Sequence, residues 1–306
     1  YRKTTNDLLL NVNVPSTTGF LVQTQNVGQV RNWGMEFLVE TQNVTGDFNW
    51  SSSFNISFNR NEALDLSDQV ITGGFINQAR EGEPIGVFYG LEYAGVDPQD
   101  GDALFYVNEK NEAGDVIDSE TTTDDPDEAN RVVIGNPNPE FIGGFGNTVE
   151  YKGFQLRALF SFDYGSEIFG GGDEFKAANG RFLDNQHVSQ LDAWEEPGDE
   201  TDIPEPRLFE NNGGQESSRY VYDGSYLRLK NVTLSYNVPT RFLQEKLSVT
   251  NARIYVTGTN LLTFTDYRWW DPEANADFAA GSVGFGNEFY TAPQARKITG
   301  GIEVSF

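Results

Sequence analysis

The 306 residues carry 21 Lys+Arg against 46 Asp+Glu, a formal net charge of −25, with one His and no Cys. So acidic a chain lacks the clustered cations that phosphate contacts need, which excludes a generic nucleic-acid binder. The missing Cys excludes a disulfide scaffold, a thiolate metal site and a cysteine nucleophile, and a single His leaves no basis for a His-rich zinc centre.

Hydrophobic residues make up 38% of the chain and aromatic ones 13%, yet no window approaches the ~18 consecutive apolar residues of a transmembrane helix. Helical periodicity is almost absent and period-two alternation is pervasive. Ten strands are expected, in chain order, at 1–12, 26–41, 47–60, 71–80, 84–94, 141–151, 153–166, 220–238, 251–263 and 293–306. In 47–59, Phe48, Trp50, Phe54, Ile56 and Phe58 take the even positions, broken only by Ser52, and polar residues take the odd ones. In 153–164, Phe154, Leu156, Ala158, Phe160, Phe162 and Tyr164 share one face, with Gln155, Arg157, Ser161 and Asp163 on the other. Each strand therefore has one apolar and one polar side.

A soluble sandwich gives the same alternation, but with strands of ~5–6 residues. Here the runs reach the ~9–11 residues with which a tilted strand crosses a bilayer, with aromatics near their ends. Connections alternate in length: short at 42–46, 81–83, 152–153 and 239–250, long at 61–70, 95–140, 167–219 and 264–292. That is the pattern of short periplasmic turns and long extracellular loops, and the weak strand 71–80 is included because the parity needs it. In 220–238 the apolar phase moves from Leu227 and Leu229 to Val232, Leu234, Tyr236 and Val238, so a β-bulge is expected near Lys230–Asn231. Lys152–Gly153 reads as a tight hairpin. Pro137 and Pro139, unable to donate to a ladder, suit the mouth of a strand. Arg228 and Lys230 face away from Leu227 and Leu229 and are expected to pair with carboxylates of a polar lumen. Ten strands close a small barrel or form an arc of a larger one, and the alternation does not choose between them.

Several motifs resemble the SusC-like, TonB-dependent outer-membrane transporters of Bacteroidetes. They are Gly224-Ser225-Tyr226-Leu227-Arg228-Leu229-Lys230-Asn231-Val232-Thr233-Leu234-Ser235-Tyr236, Arg253-Ile254-Tyr255-Val256 running into Gly258-Thr259-Asn260-Leu261-Leu262-Thr263, and Asn26-Val27-Gly28 with Arg31-Asn32-Trp33-Gly34-Met35-Glu36. Gly135-Asn136-Pro137-Asn138-Pro139, Tyr151-Lys152-Gly153-Phe154, Asp271-Pro272-Glu273, Pro293-Gln294-Ala295-Arg296 and the terminal Phe306 fit as well, in the family's order. The resemblance implies that 1–306 is the C-terminal part, about ten strands, of a 22-stranded antiparallel barrel whose plug and N-terminal domains are not in this sequence. It also implies import of oligosaccharides or oligopeptides, a SusD-like surface lipoprotein as lid, TonB as energy source through the missing N-terminal part, and Phe306 as the signal read by the barrel-assembly machinery. The expected location is the bacterial outer membrane, with long loops extracellular and the C-terminus periplasmic.

The loops offer little catalytic chemistry. Between Asp97 and Glu128 twelve acidic residues face only Lys110. The Ca²⁺-loop spacing is not met, because Lys110 stands where a ligand is wanted in Asn108-Glu109-Lys110-Asn111-Glu112. A solvated acidic loop is expected in preference to a calcium site, and no other cofactor is expected. A short helix is expected around 184–195. Its His187 has no partner carboxylate at a catalytic spacing, and Gly170-Gly171-Gly172 lacks the Lys and Ser/Thr of a phosphate loop. Tyr267, Trp269 and Trp270 crowd the start of the last long loop, where they can stack on sugar rings, grip a lid, or merely fill the loop core. No enzyme is expected. The alternatives to transport are a docking barrel bound to a surface or secretion complex and, further off, a closed ten-stranded surface protease.

Overall fold

A computed structural model describes residues 1–6, 9–13, 17, 19, 22–26, 28–67, 69–239, 249–273, 275 and 283–305. Phe306 lies outside the described residues.

Eight strands form one antiparallel sheet in strict sequence order: β1 (Arg2–Thr5), β2 (Gln29–Val44), β3 (Phe48–Asp65), β4 (Phe141–Tyr151), β5 (Phe154–Tyr164), β6 (Tyr226–Asn237), β7 (Asn251–Thr265) and β8 (Lys297–Ser305). Six of the eight run 11 to 18 residues, long enough to cross a bilayer at a tilt. Within the described residues β1 and β8 do not pair with each other, so the sheet is an open arc.

Register carries the alternation across the whole arc. Val39, Phe54, Phe145, Phe160, Leu229 and Leu262 stand opposite one another on six successive strands. So do Trp50, Val149, Leu156, Leu234 and Val256. On the other face the corresponding row is Gln42, Ser51, Thr148, Arg157, Thr233, Thr257 and Thr299. A slip of one residue anywhere would exchange the two faces.

The apolar face is bounded by aromatics at both ends. Phe48, Tyr151, Phe154 and Tyr236 align next to the short turns, with Phe154 and Tyr236 rings 4.5 Å apart. Phe58, Phe141 and Tyr164 gather at the far end, with Phe141 and Tyr164 stacked at 4.9 Å. In β3, β4 and β5 alike the two belts are ten residues apart, from Phe48 to Phe58, Tyr151 to Phe141 and Phe154 to Tyr164. At the rise of a strand tilted by about 40° that separation is about 25 Å, the height of the apolar band of an outer-membrane barrel. Ser52, the one break in the β3 pattern, donates to Asn147 Oδ1 at 2.8 Å, and Trp50 Nε1 donates to the same oxygen at 2.8 Å. Polar atoms on a lipid-facing wall need such internal partners.

Two local expectations hold in detail. The 152–153 turn has Lys152 at φ 48° and Gly153 at φ 85°, the two positive angles of a type I′ hairpin. Register slips past Lys230 on both sides: Leu159 faces Asn231 while Phe160 faces Leu229, and on β7 Leu229 faces Leu262 while Asn231 faces Thr259. The bulge lies where the apolar phase changes.

The strands expected at 71–80 and 84–94 are not part of the wall. They supply three short strands, Ile71–Gly73, Asn77–Ala79 and Val87–Gly90, which with Val132–Gly135 make a separate four-stranded sheet. Three or four residues cannot span a bilayer. Their apolar side chains, Ile76, Ala79, Val87, Phe88 and Leu91, are buried in loop cores rather than facing lipid. With both removed, the connections still alternate: 45–47, 152–153 and 238–250 join strands at one end of the arc, and 6–28, 66–140, 165–225 and 266–296 at the other. Among the described residues the wall therefore has eight strands, where ten were expected.

The long loops interlock above the wall. Glu167–Gly170 pairs antiparallel with Val221–Asp223 and parallel with Asn287–Glu288. Ile76, Phe88, Phe169, Ala177 and Tyr220 share one core, and Ala63, Leu66, Ala79 and Val283 another. Buried Asn287 donates to Asn77 Oδ1 at 2.7 Å, joining loops 66–140 and 266–296.

One ion cluster fastens the last loop to the wall. Arg228, 2% exposed, donates to Asp271 and pairs with Glu273 at 2.6 Å. Lys230 reaches both Glu273 oxygens at 2.7 Å, and the Tyr226 hydroxyl donates to Glu273 at 2.9 Å. Asp271 also accepts from the backbone N–H of Glu273 at 3.0 Å and of Gln294 at 2.8 Å. The lumen-carboxylate partners expected for Arg228 and Lys230 are thus Asp271 and Glu273. Burial alone would push the Asp271 carboxyl up, but the Arg228 hydrogen bond, the two N–H donors and the Arg228 charge outweigh it and hold it below the usual range.

Removing one member of a buried ion pair strands the other, at a typical cost of about 3–5 kcal/mol. Arg228→Met is predicted to destabilise the full-length protein in detergent by an amount of that order, read by urea unfolding, and adding Asp271→Asn should recover part of it. Because the folded Asp271 pKa is depressed, its contribution is complete above the ordinary carboxylate range and is lost as pH falls through the folded value. Unfolding midpoints should therefore drop on acidification, and by less in Asp271→Asn.

Candidate functional site

The features that can meet a ligand lie where loops 66–140, 165–225 and 266–296 converge. A cavity of about 380 Å³ opens there, lined by Tyr93, Gln190, Asp202, Arg219, Tyr220, Tyr222, Arg268 and Trp269 among others. Its floor is aromatic. Tyr222 makes edge contacts with Tyr267 and Trp269, each at 6.1 Å between ring centres. Arg268 lies over the Tyr222 ring at 4.9 Å, and Lys176 Nζ lies 4.0 Å from the centre of the Trp269 ring. Such stacking holds a cation over a flat face while leaving its outer donors free.

Beneath the cavity the polar groups are tightly enclosed. Asp173 is fully buried and pairs with Lys176 at 2.8 Å. Burial pushes its carboxyl up, against the pull of Lys176. Glu288 is raised by burial as well. The Tyr222 hydroxyl is driven well above its ordinary value by burial, with the Asp173 charge adding to it.

The three aromatics singled out in the sequence take different places. Tyr267 is 5% exposed, packed behind Tyr222, so it supports the site instead of forming its surface. Trp269 lines the cavity, held edge-on by His187 at 4.4 Å. Trp270, 67% exposed, points away from any core. His187 caps the short 3₁₀ helix Val188–Asp192, its Nδ1 accepting from the Ser189 N–H at 3.1 Å. The helix expected around 184–195 is this one turn. The His187 pKa is lowered by burial first and then by Lys176 and Arg268.

The acidic segment folds into hairpins: Ala103–Tyr106 pairs with Tyr93–Val96 and Thr122–Thr123, and Glu109–Lys110 with Val116–Asp118. Asn111 Oδ1 accepts from the N–H groups of Ala113 and Asp115, closing the turn at the position where a cation loop would place its ligands. Among the described residues no three His, Asp or Glu side chains converge as a metal-ligand group.

Arg219, Tyr222, Lys176 and Arg268 were not singled out in the sequence. Arg268 had a signal, since it stands between Tyr267 and Trp269 in the aromatic cluster itself. Lys176 and Arg219 had none, because they reach the site only through the pairing of 167–170 with 221–223 and 287–288.

No protein-family profile matches the chain. TonB-dependent receptor P3 of Formosa agariphila is 35% identical over 324 residues, covering 100% of this chain and 32% of the relative. TonB-dependent receptor P26 of the same organism is 36% identical over 340 residues, with 100% and 32% covered. TonB-dependent receptor SusC of Bacteroides thetaiotaomicron is 24% identical over 301 residues, covering 92% of this chain and 28% of that protein. Among solved structures, a chain of the RagAB peptide transporter superposes with a TM-score of 0.83 at 29% identity, over 100% of this chain and 32% of its own length. The chain thus spans about a third of the length of the relatives it matches. With motifs, register and superposition in agreement along its whole length, the chain belongs to the SusC-like TonB-dependent receptors of the Bacteroidetes.

Proposed function

We propose that this arc is part of the barrel wall of an outer-membrane importer driven by TonB, and that the cargo is an oligosaccharide. The observation that carries the reading is the wall itself: an apolar band between aromatic belts on one face and a hydrogen-bonding face of Ser, Thr, Gln and Arg on the other. An open arc cannot sit in lipid with its edges unpaired, so the reading places further strands beyond β1 and β8. The receptor names of the relatives support import. RagAB is described as a peptide transporter, which keeps an oligopeptide as the competing cargo. By the parity of connections, loops 66–140, 165–225 and 266–296 are extracellular, and β8 descends toward the periplasm with Phe306 as the residue offered to the barrel-assembly machinery.

A lid partner fits the same loops. Leu183, Leu191, Leu208 and Phe209 in loop 165–225 are between 65% and 82% exposed, and Trp270 in the last loop is 67% exposed. Several large apolar side chains at loop tips favour a covering surface, and a SusD-like lipoprotein supplies one in this reading. A docking barrel without transport would use the same surface, so uptake is the measurement that separates the two.

In the native bacterium, uptake of fluorescent oligosaccharides is predicted to require both this gene and TonB. Uptake that continues without TonB would contradict the reading, and uptake confined to oligopeptides would reverse the choice of cargo. Leu208→Asp combined with Phe209→Asp should cut lipoprotein recovered with the purified barrel by about tenfold or more, as loss of apolar hot-spot contacts does. Unchanged recovery would place the lid elsewhere.

A further inference from the structure

The cavity at the loop junction is chemically unlike the chain around it. The whole sequence has 46 acidic residues to 21 basic ones. The cavity lining has Arg219 and Arg268 against the single carboxylate of Asp202. Arg31, Arg131, Arg207, Arg228 and Arg253 each pair with a carboxylate. Arg219, like Arg60 and Arg181, is held instead by neutral oxygens, here the Gly213 carbonyl and Asn179 Oδ1, both at 2.8 Å. Its guanidinium lies over the Tyr93 and Tyr220 rings at 5.8 and 5.4 Å. Among the described residues neither Arg219 nor Arg268 forms an ion pair.

Two guanidiniums that form no ion pair can receive an oxyanion, because the Arg fork matches carboxylate and sulfate oxygens. The Trp269 and Tyr222 rings also line the cavity, with Lys176 over one face of Trp269 and Arg268 over one face of Tyr222. At about 380 Å³ it falls within the usual range of small-ligand pockets.

We propose that this cavity binds an anionic saccharide, its carboxylate or sulfate taken by Arg268 and Arg219 and a sugar ring resting on Trp269 and Tyr222. The inference rests on the import reading and narrows its cargo. An anionic sugar chain carries both flat C–H faces and acidic groups, and the cavity lining carries both aromatic rings and guanidiniums.

The test uses the full-length receptor purified with its partner lipoprotein. Calorimetric titration compares four probes: an oligogalacturonate, an O-sulfated oligosaccharide, a neutral malto-oligosaccharide and an oligoglutamate peptide. Either anionic sugar should bind more tightly than the neutral one, with affinity falling as salt rises, and the tighter of the two identifies the acidic group. Arg268→Gln should weaken that sugar about tenfold or more, the loss expected for a hydrogen bond to a charged group. Arg268 is exposed, so this variant keeps the fold, which heat-modifiability on gels will verify. Arg268→Lys should recover part of the loss. The proposal is overturned if the neutral sugar binds as tightly, if Arg268→Gln changes nothing, or if only the peptide binds. Neutral sugars imported normally while anionic ones fail to bind would sink this inference alone; no TonB-dependent uptake of any probe would sink the import reading with it.

Discussion

A chain that crosses hydrocarbon must hand every backbone N–H and C=O to a neighbour, because nothing in the bilayer core will accept them. The eight-stranded sheet follows from that constraint. Pairing is continuous from β1 to β8, with register shifts confined to bulges, and those at Gln42–Val44 and at Lys230 sit where the apolar pattern of the strand changes phase. Once the ladder is fixed, alternation does the rest, sending Phe54, Phe145 and Phe160 to one side and Ser51, Thr148 and Arg157 to the other. The same constraint gives the ten-residue spacing of the aromatic belts, and in the proposed importer further strands would continue the two open edges.

The polar side of the wall serves as an anchor as much as a lining. Buried ion pairs add little net stability, since desolvation offsets most of their attraction. What Arg228, Lys230, Asp271 and Glu273 provide is position: loop 266–296 leaves β7 and is drawn back against β6 before it reaches β8. That loop carries Tyr267, Arg268 and Trp269 to the cavity and Asn287 to the small sheet with 167–170. The cavity is thus tied to the wall through this charged cluster, alongside the apolar contact of Ala63 with Val283. The bulge at Lys230 is part of it, because it lets the strand change phase immediately after delivering the second cation to Glu273.

Much of this was legible in the sequence because it is local. Alternation in 141–151 and 153–166 identified strands whose observed bounds, Phe141–Tyr151 and Phe154–Tyr164, agree within a residue or two, and Lys152–Gly153 gave the turn between them. The phase change in 220–238 gave the bulge, and the facing of Arg228 gave its carboxylate partners in kind. The loop region was less legible. The segments 71–80 and 84–94 have strand-like composition, but their partners are each other and 132–135, and only their shortness separates a buried loop sheet from a wall. The parity of connections was a sound guide, yet it tolerates the addition of two strands together as readily as none. Tyr267 shows the same gap on a smaller scale: its burial depends on Tyr222, 45 positions earlier, and no local pattern carries that information.

The claim on which everything rests is that the Phe54–Phe145–Phe160 face meets lipid and the opposite face meets water. The chain has no Cys, so single substitutions along β4 place one thiol at a time in this segment. In outer membranes holding the full-length receptor, cysteines at Phe145, Asn147 and Val149 should react with a membrane-soluble maleimide and resist a charged one. Cysteines at Gly146, Thr148 and Glu150 should do the reverse. Reaction with the charged reagent at all six positions, without a period of two, would contradict the membrane wall and return the chain to a soluble sandwich.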